Sequence, residues 1–404
     1  MNNFAYHPRD LARLLRRALS FSPVTVLTGP RQVGKSTLLR EESPFREWPY
    51  FSLDDPEVLA LLRYRPREIL FAEKRLILDE VQRAPELLLY VKQAVDGDRS
   101  RRFVLSGSAN LLLMKGVAES LAGRAVYLEL GPFSLSEFLK RPSGLLALLK
   151  KDLLPEAPKP PFSLEEILFK GLTPPVAFLS SPEEARLWWR GYVATYLERD
   201  LRDLSQVADL ADFHRFLEVL ASRIASLLNI SEAARDAGLS QPTASRYLNL
   251  LETSGLVYRL RPYYTSLAKR LAKRPKLYFF DSGLACALAG YTHPGEIPET
   301  FLGHLFENLV FQHLHAASVL LSGELYFFRK LGGREREVDF ILRCGRHLYA
   351  FEVKLTSQPG PREAENLLLL KDQFPSPPKL YLVHAGDETG TLPGGIKLIP
   401  WHLL

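Results

Sequence analysis

The residues that most clearly predict chemistry form a glycine-rich segment near the start of the chain. Residues 29–36 read GPRQVGKS, which fits the spacing G-x-x-x-x-G-K-[S/T]. Such glycines allow a tight turn whose N–H groups point at phosphate oxygens, while Lys35 reaches the outer phosphates and Ser36 offers a hydroxyl to Mg²⁺. The segment therefore predicts an ATP site. Its binding residues are Gly29, Gly34, Lys35, Ser36 and Thr37.

Two acids and a polar strand end supply further parts of that site. An apolar strand ends in Asp79, suited to holding Mg²⁺, and Glu80, suited to polarising an attacking water. Another strand runs into Gly107-Ser108-Ala109-Asn110, where Ser108 or Asn110 could sense the γ-phosphate. An ordinary turn is the alternative, because Ser, Gly and Asn are common turn residues.

The positive charge of the chain is concentrated in one segment. The whole chain has a formal charge of +6, whereas residues 221–276 contain ten Lys and Arg against three acids. A basic block of this kind favours a polyanion as partner. A solvated surface that keeps the protein in solution is the alternative.

The pattern inside this block predicts a winged helix-turn-helix. A short helix at 230–237, capped by Ser231, is followed by a turn at 238–240 and a second helix at 241–253 with Ser240 as N-cap. Leu248 and Leu251 face inward, Gly255 ends the helix, and residues 256–260 form a strand. We expect weak sequence preference, because phosphate contacts dominate. The predicted DNA-binding residues are Gln241, Thr243, Ser245, Arg246, Arg259, Arg261, Lys269, Arg270, Lys273 and Arg274. A winged helix used only for protein packing is the alternative.

A third group of residues is carboxylates near the carboxyl end. Segments 337–344 and 347–354 flank Gly345-Arg346, which suits a two-residue hairpin. This register places Asp339 opposite Glu352, with Lys354 on the same face and the other face apolar. Opposed carboxylates repel unless a cation lies between them, so the pair predicts a Mg²⁺ site, and Glu307 on an upstream helix is a further candidate ligand. An exposed charged edge with Glu352 paired to Lys354 or Arg343 is the alternative.

The elements that position these groups follow from apolar periodicity. Short continuous apolar runs at 24–28, 50–53, 75–79 and 102–106 alternate with helical segments, which indicates a parallel sheet covered on both faces. Helices are predicted at 8–20, at 183–206 and at 300–320, and mostly strands at 324–400. The prolines of 141–175 indicate a linker or an irregular lid.

In this order, the motifs GPRQVGKST, LILDEVQ, LSGSAN, YLERDL and KLYFFDSGL resemble a widespread prokaryotic family of AAA+ ATPases with a C-terminal PD-(D/E)XK nuclease-like domain. The resemblance implies ATP binding by Lys35, Ser36, Asp79 and Glu80. It implies a metal site at Asp339, Glu352 and Lys354, matched by Glu307, in which the lysine assists water attack on a phosphodiester. In AAA+ proteins a neighbouring subunit supplies an arginine; Arg124 is the first candidate and Arg102 the second.

The predicted fold is therefore α/β, with a P-loop core at 1–140, a helical lid and linker at 141–207, a winged helix at 208–276 and a nuclease-like domain at 277–404. This order is similar to that of Holliday-junction branch-migration motors. We expect an ATP-hydrolysing protein that remodels duplex or branched DNA as a homo-oligomer, with a hexamer favoured. The alternatives are a nucleotide-gated regulator or defence switch and an ATP-gated, metal-dependent endonuclease.

Composition limits the setting of this activity. Two cysteines exclude a disulfide framework or a zinc cluster, and the apolar runs are too short for a transmembrane helix. The first residues lack the apolar core of a signal peptide. We therefore expect a cytoplasmic protein with no membrane partner.

Overall fold

A computed structural model describes residues 6–107, 121–197, 209–264, 273–330, 336–374 and 376–404. The chain forms two compact units, Met1–Gly131 with Thr253–Gly255, and Pro132–Glu252 with Leu256–Leu404. Both are mixed α/β, as expected. Within the described ranges, no helix combines the length and apolar character needed to cross a membrane.

The first unit is built on a five-stranded sheet in which every pairing is parallel. Its strands are β1 Val24–Thr28, β2 Tyr50–Ser52, β3 Arg75–Asp79, β4 Arg102–Ser106 and β5 Ala125–Glu129. The first four confirm the strands predicted from continuous apolar runs. The fifth was not predicted, because Tyr127 is exposed and the strand lies at the sheet edge.

The strand order in this sheet is β2-β3-β4-β1-β5. Because all strands are parallel, the residues that follow β1, β3 and β4 meet at one edge. β4 lies between β3 and β1 in the sheet, and Ser36 at the start of α2 nevertheless reaches Asp79 at the end of β3. Helices pack around the sheet: α1 Leu11–Phe21, α2 Lys35–Glu41, α3 Pro56–Tyr64, α4 Pro66–Ala72 and α5 Leu87–Gly97.

The second unit begins with six helices, four of which lie in the range 141–207 predicted as a helical lid and linker. They are α6 Leu135–Phe138, α7 Gly144–Lys151, α8 Leu164–Lys170, α9 Pro174–Ala177, α10 Pro182–Tyr192 and α11 Leu210–Ala221. The irregular part is confined to the proline-rich stretch between α7 and α8. Ser143 caps α7 and Ser163 forms a capping box on α8, and these helix-start signals were overlooked. The long helix predicted at 183–206 is regular only to Tyr192, and continues as a π-helix over Val193–Leu197. Residues 198–206 of that prediction lie outside the described residues.

Next comes a helix, a turn, a second helix and a strand: α12 Ile230–Asp236, α13 Gln241–Thr253 and β6 Val257–Leu260. Ser240 Oγ accepts the Thr243 N–H at 3.3 Å, and Leu248 and Leu251 are buried, as predicted. The cap of α12 is Asn229 rather than Ser231, because the Asn229 carboxamide oxygen accepts the Ser231 N–H at 3.2 Å. β6 pairs antiparallel with β7 Lys276–Phe279, so the boundary predicted at 276/277 falls inside a paired strand.

The chain then forms α14 Ser282–Leu288, α15 Glu299–Leu321 and a six-stranded sheet. The sheet order is β12-β13-β11-β10-β9-β8. Its elements are β8 Glu324–Lys330, β9 Arg336–Cys344, β10 His347–Lys354, α16 Glu365–Leu368, β11 Lys379–His384, β12 Gly390–Leu392 and β13 Ile396–Pro400.

The hairpin of β9 and β10 has the predicted register. His347 pairs with Cys344 and Phe351 with Phe340, around a two-residue turn in which Gly345 has φ 58°. The face without the acids is apolar and buried, as predicted, and the acid-bearing face is also partly buried. Ile341 and Ala350 alternate onto the acid-bearing face and are fully buried in a core cluster with Leu367 of α16. Both faces of the hairpin are therefore covered.

Asp281, in the KLYFFDSGL motif, joins α14 to the loop after α8. Its Oδ2 accepts hydrogen bonds from the Leu172 and Thr173 N–H groups and the Thr173 hydroxyl, and its Oδ1 accepts the Gly283 N–H, all at 2.7–3.0 Å. Burial nonetheless raises the pKa of Asp281 to about 6. Asp281 is therefore a buried structural residue.

Candidate functional site

The glycine-rich loop connects β1 to α2 and requires its glycines. Gly29 has φ 139°, and a Cβ there would lie 2.1 Å from the Leu130 carbonyl oxygen. Gly34 has φ 95° and is the N-cap of α2. Other residues are strained in that left-handed region or clash. The loop thus presents the start of α2 to an anion, which its N–H groups and dipole favour.

Lys35 is buried at the first position of α2, with 6% of its surface exposed. Its Nζ donates to the carbonyl oxygens of Gly29 at 3.0 Å and Pro30 at 2.8 Å. Burial lowers the pKa of Lys35 to about 8, against the opposing effect of Glu80 and Asp79. The ammonium therefore lies against the loop that it is predicted to serve.

Ser36 and Asp79 meet across the sheet edge, as the sequence predicted. Ser36 Oγ donates to Asp79 Oδ2 at 2.6 Å, and the Tyr50 hydroxyl donates to the same oxygen. Asp79 is 2% exposed. A hydroxyl and a carboxylate side by side are the hard oxygen donors that Mg²⁺ prefers, so these residues fit that ion.

Glu80 follows in an unusual backbone conformation, with φ 55° and ψ 41°. A non-glycine residue in this region is uncommon and turns its side chain away from the strand direction. The Gln82 amide donates to Glu80 Oε2. Burial raises the pKa of Glu80, while Lys35 opposes the shift.

Of the other residues predicted at the ATP site, Thr37, Ser108 and Asn110, the structure describes only Thr37. Thr37 lies in the first turn of α2 with an exposed side chain. Ser108 and Asn110 lie outside the described residues. Their predicted role stays a prediction, although β4 does end between the loop and Asp79.

Arg9 lies outside every motif of the sequence and supports the glycine-rich loop from the start of the chain. Its Nη1 donates to the Val33 carbonyl and its Nη2 to the Gly131 carbonyl, both at 2.7 Å, and its side chain is buried. Two bonds from one guanidinium fix the loop relative to the chain after β5. Arginine before a P-loop strand is not part of the motif, so only the fold reveals this contact.

The two arginine-finger candidates both have partners within their own chain. Arg124, directly before β5, donates to both Asp96 oxygens at 2.6 and 3.0 Å. Arg102 donates to the carbonyls of Leu19, Arg99 and Arg101. The Arg102 guanidinium is therefore occupied by backbone carbonyls of its own subunit. Arg124 is held by its ion pair with Asp96, a partner that a stronger anion could replace.

The helix α13 and the strands beside it display much of the predicted basic surface. Gln241 and Arg246 are exposed, and Thr243 and Ser245 are half-buried. Arg261, Lys273 and Arg274 are exposed as well, while Lys269 and Arg270 lie outside the described residues.

Three members of the basic block have internal acidic partners. Arg223 pairs with Asp236, and Arg259 pairs with Glu252. Lys276, the last residue of the basic block, is only 4% exposed and contacts carboxylates of the C-terminal region. The excess charge available to a partner is therefore smaller than the sequence suggested.

The predicted C-terminal carboxylates do converge. Asp339 Oδ2 accepts the Val353 N–H at 2.9 Å, and Glu352, 2% exposed, accepts from Lys354 Nζ at 2.7 Å. Glu307 on α15 accepts from Lys276 Nζ at 2.8 Å and from the Tyr278 hydroxyl at 2.6 Å. Burial and the Asp339 carboxylate raise the pKa of both Glu307 and Glu352.

A metal ion does not fit this cluster as it is arranged. Among the described residues, no three His, Cys, Asp or Glu side chains are disposed to hold one. Lys276 Nζ lies instead against Glu307, Glu337 and Asp339. Burial alone would lower the pKa of Lys276, but these carboxylates raise it above its usual range.

Family models match three consecutive parts of the chain. An AAA domain matches residues 21–139, and two domains of unknown function match residues 162–294 (DUF8612) and 302–404 (DUF4143). The first match covers the loop, Asp79 and Glu80 described above.

Relatives and solved structures extend the comparison. An uncharacterized protein of Haemophilus influenzae is 24% identical over 87% of each chain. The Walker-type ATPase PABY2304 of Pyrococcus abyssi matches 70% of this chain and 96% of its own, with 16% identity and a TM-score of 0.49, which is too low to carry functional weight.

An uncharacterized protein of Mycobacterium tuberculosis is 32% identical over 395 residues, which cover 97% of this chain and 83% of the relative. Since that similarity spans nearly the whole chain, the protein belongs to the same family as this mycobacterial relative, and its residues 21–139 form an AAA-type P-loop ATPase domain.

Proposed function

We propose that the protein is an ATP-driven, DNA-binding machine that remodels duplex or branched DNA. The observation that carries this proposal is the exposed basic surface of α13 and its neighbouring strands, in a chain that also contains an AAA ATPase domain. The apolar side of α13 is occupied by its own core, so its polar side is available to a partner.

The nucleotide chemistry follows from the loop, Asp79 and Glu80. Lys35 and the N–H groups of the loop bind the phosphates, and Ser36 and Asp79 hold Mg²⁺. Held there, the ion would neutralise charge that develops on the phosphates. Glu80 orients the attacking water and accepts its proton, and burial, which raises its pKa, makes it a better base.

The DNA contact follows from the exposed side chains. Arg246 on α13 and the exposed pair Lys273-Arg274 bind phosphates, and Gln241 reaches base edges from the start of the helix. With few long polar side chains on α13, backbone charge and DNA shape decide binding. Weak sequence preference is therefore part of the proposal.

The decisive experiment measures ATP hydrolysis with single-stranded, duplex, forked and four-way DNA. We expect stimulation by at least one of these, and weaker DNA binding in a Lys273→Ala/Arg274→Ala variant. The logarithmic salt dependence of binding should fall by about 2 in that variant, because two phosphate contacts are lost. The matched control is Lys150→Ala/Lys151→Ala, an exposed basic pair at the end of α7.

Two outcomes would overturn the proposal. An unchanged hydrolysis rate and no DNA binding across all four structures would exclude a DNA-driven machine. If both double variants weakened DNA binding equally, the contact would be a non-specific attraction between charges rather than a defined DNA-binding surface. Hydrolysis with DNA binding but without strand displacement would instead favour a nucleotide-gated regulator.

We further propose that the ATPase acts as a homo-oligomer, with a hexamer favoured, in which Arg124 of one subunit reaches the ATP of the next. Arg124 would exchange its Asp96 partner for the γ-phosphate, a stronger anion. Mixing Lys35→Ala subunits with Arg124→Ala subunits tests this, because each lacks a different half of the shared site. Recovery of hydrolysis above that of either variant alone supports the proposal, and no recovery contradicts it.

A further inference from the structure

Lys276 of β7 is a buried cation in contact with three carboxylates from two other elements, α15 and β9. Its Nζ lies 2.8 Å from Glu307 of α15, 2.6 Å from Glu337 and 3.6 Å from Asp339 of β9. The side chain of Lys276 is 4% exposed. An isolated buried ammonium would be strongly disfavoured, so these partners account for its charge.

The neighbouring contacts hold Lys276 in place from both sides. Tyr278, on the same strand β7, donates to Glu307 at 2.6 Å and stacks on Phe311 of α15 with ring centroids 4.3 Å apart. The Phe279 N–H donates to the buried Asn308 side chain at 2.8 Å. β7 is therefore fixed to α15 over several residues, which places Lys276 beside Glu307.

Three carboxylates that converge in a buried region would repel one another without a cation between them. In many acid clusters a divalent metal supplies that charge. Here one ammonium lies within 4 Å of all three, and the described residues offer no three-ligand metal group beside it.

We propose that Lys276 takes the place of a divalent metal ion in the C-terminal acid cluster, so that the cluster is a metal-independent junction between β7, α15 and β9. Glu307 is then a partner of Lys276 rather than a metal ligand. The nuclease-like hairpin accordingly has a structural role in this chain.

The proposal predicts what removing the ammonium would do. A Lys276→Met variant leaves the three carboxylates without a cation, so it should lose stability and gain affinity for a divalent ion. Mn²⁺ is the probe, because its bound fraction is measured directly by electron paramagnetic resonance. Every protein carries Ser36→Ala, so that Mn²⁺ at the P-loop does not contribute.

We expect the otherwise wild-type protein to bind Mn²⁺ weakly and to show an unchanged melting temperature in its presence. Lys276→Met should bind at least about tenfold more tightly and recover part of its lost melting temperature with Mn²⁺. Lys170→Met is the matched control: Lys170 is half-buried and its Nζ donates to the Leu179 carbonyl outside the acid cluster, so the variant should gain no affinity.

Two results would overturn the proposal. One is tight Mn²⁺ binding with Lys276 present that Asp339→Asn abolishes. The other is a folded Lys276→Met protein with no gain in affinity. If Lys276→Met does not fold alone, Lys276→Gln replaces it, and folding of either variant only with Mn²⁺ supports the proposal. If neither variant folds even with Mn²⁺, the test is Mn²⁺ binding by the protein that keeps Lys276, compared with its Asp339→Asn variant. Tight binding that Asp339→Asn abolishes overturns the proposal, and weak binding supports it.

Discussion

Protonation of His313 should couple the stability of the second unit to pH. The imidazole is buried: its Nε2 accepts the Leu135 N–H at 2.9 Å, and its Nδ1–H donates to the Leu309 carbonyl at 2.8 Å. Burial lowers the pKa of His313 to about 4, although the Leu309 carbonyl and Glu137 act in the opposite direction. A proton on Nε2 would also remove the acceptor that the start of α6 needs.

The sign and size of the effect follow from these pKa values. The unfolded chain has a histidine pKa near 6.5, so it binds a proton at a pH where the folded chain does not. Stability is therefore complete above about pH 6.5 and falls as the pH drops toward 4. Linkage gives a loss of about 2 kcal/mol at pH 5, with a limit of about 3 kcal/mol.

The assay is urea denaturation of the wild type and of His313→Gln, between pH 7.5 and pH 5, followed by tryptophan fluorescence. Three of the four tryptophans belong to the second unit, so the signal reports mainly on it. Glutamine can accept the Leu135 N–H but does not titrate. The difference in unfolding free energy between the two proteins should shrink by about 2 kcal/mol over this range. A difference that stays constant with pH would refute the reasoning, because the other histidines are present in both proteins.

Three further predictions concern single residues. Glu80→Gln should keep ATP binding but slow hydrolysis by about a hundredfold or more, since the water loses its base; single-turnover kinetics and nucleotide binding measured together would check this, and equal losses in both would contradict it. Gly29→Ala should abolish ATP binding, because its Cβ would meet the Leu130 carbonyl; Gly97→Ala, where a Cβ meets nothing within 4 Å, is the calorimetric control and should bind normally. Asp281→Asn should destabilise the second unit by about 3 kcal/mol in urea denaturation. The amide NH₂ donor replaces either Oδ2, which accepts three hydrogen bonds, or Oδ1, which accepts the Gly283 N–H. A loss near zero would show that these contacts are dispensable.

Sequence reasoning located the ATP site because local signals define it. The strands at 24–28, 75–79 and 102–106 are continuous apolar runs, and their polar ends meet wherever such strands are parallel. The register of the β9–β10 hairpin was likewise predictable, because a two-residue turn determines every pair that follows it.

The parts that were missed depend on contacts between distant residues. Lys276 looks like an ordinary surface lysine in a basic run, and its partner Glu307 lies 31 residues away in the chain. Arg9 reaches Val33 and Gly131 only after β1 and β5 have paired. The cap of α12 was assigned to the wrong neighbour because Asn229 and Ser231 are both good capping residues.

The chain that follows β6 has a mechanical consequence. The Phe327 N–H of β8 donates to the Arg261 carbonyl, and the Tyr263 N–H donates to the Phe327 carbonyl, in a parallel pairing beside the six-stranded sheet. A pull on β6 along its axis would load these bonds in shear, together with the antiparallel bonds to β7. Several bonds would have to break at once, so β6 resists sliding against β8 and passes strain into the C-terminal sheet.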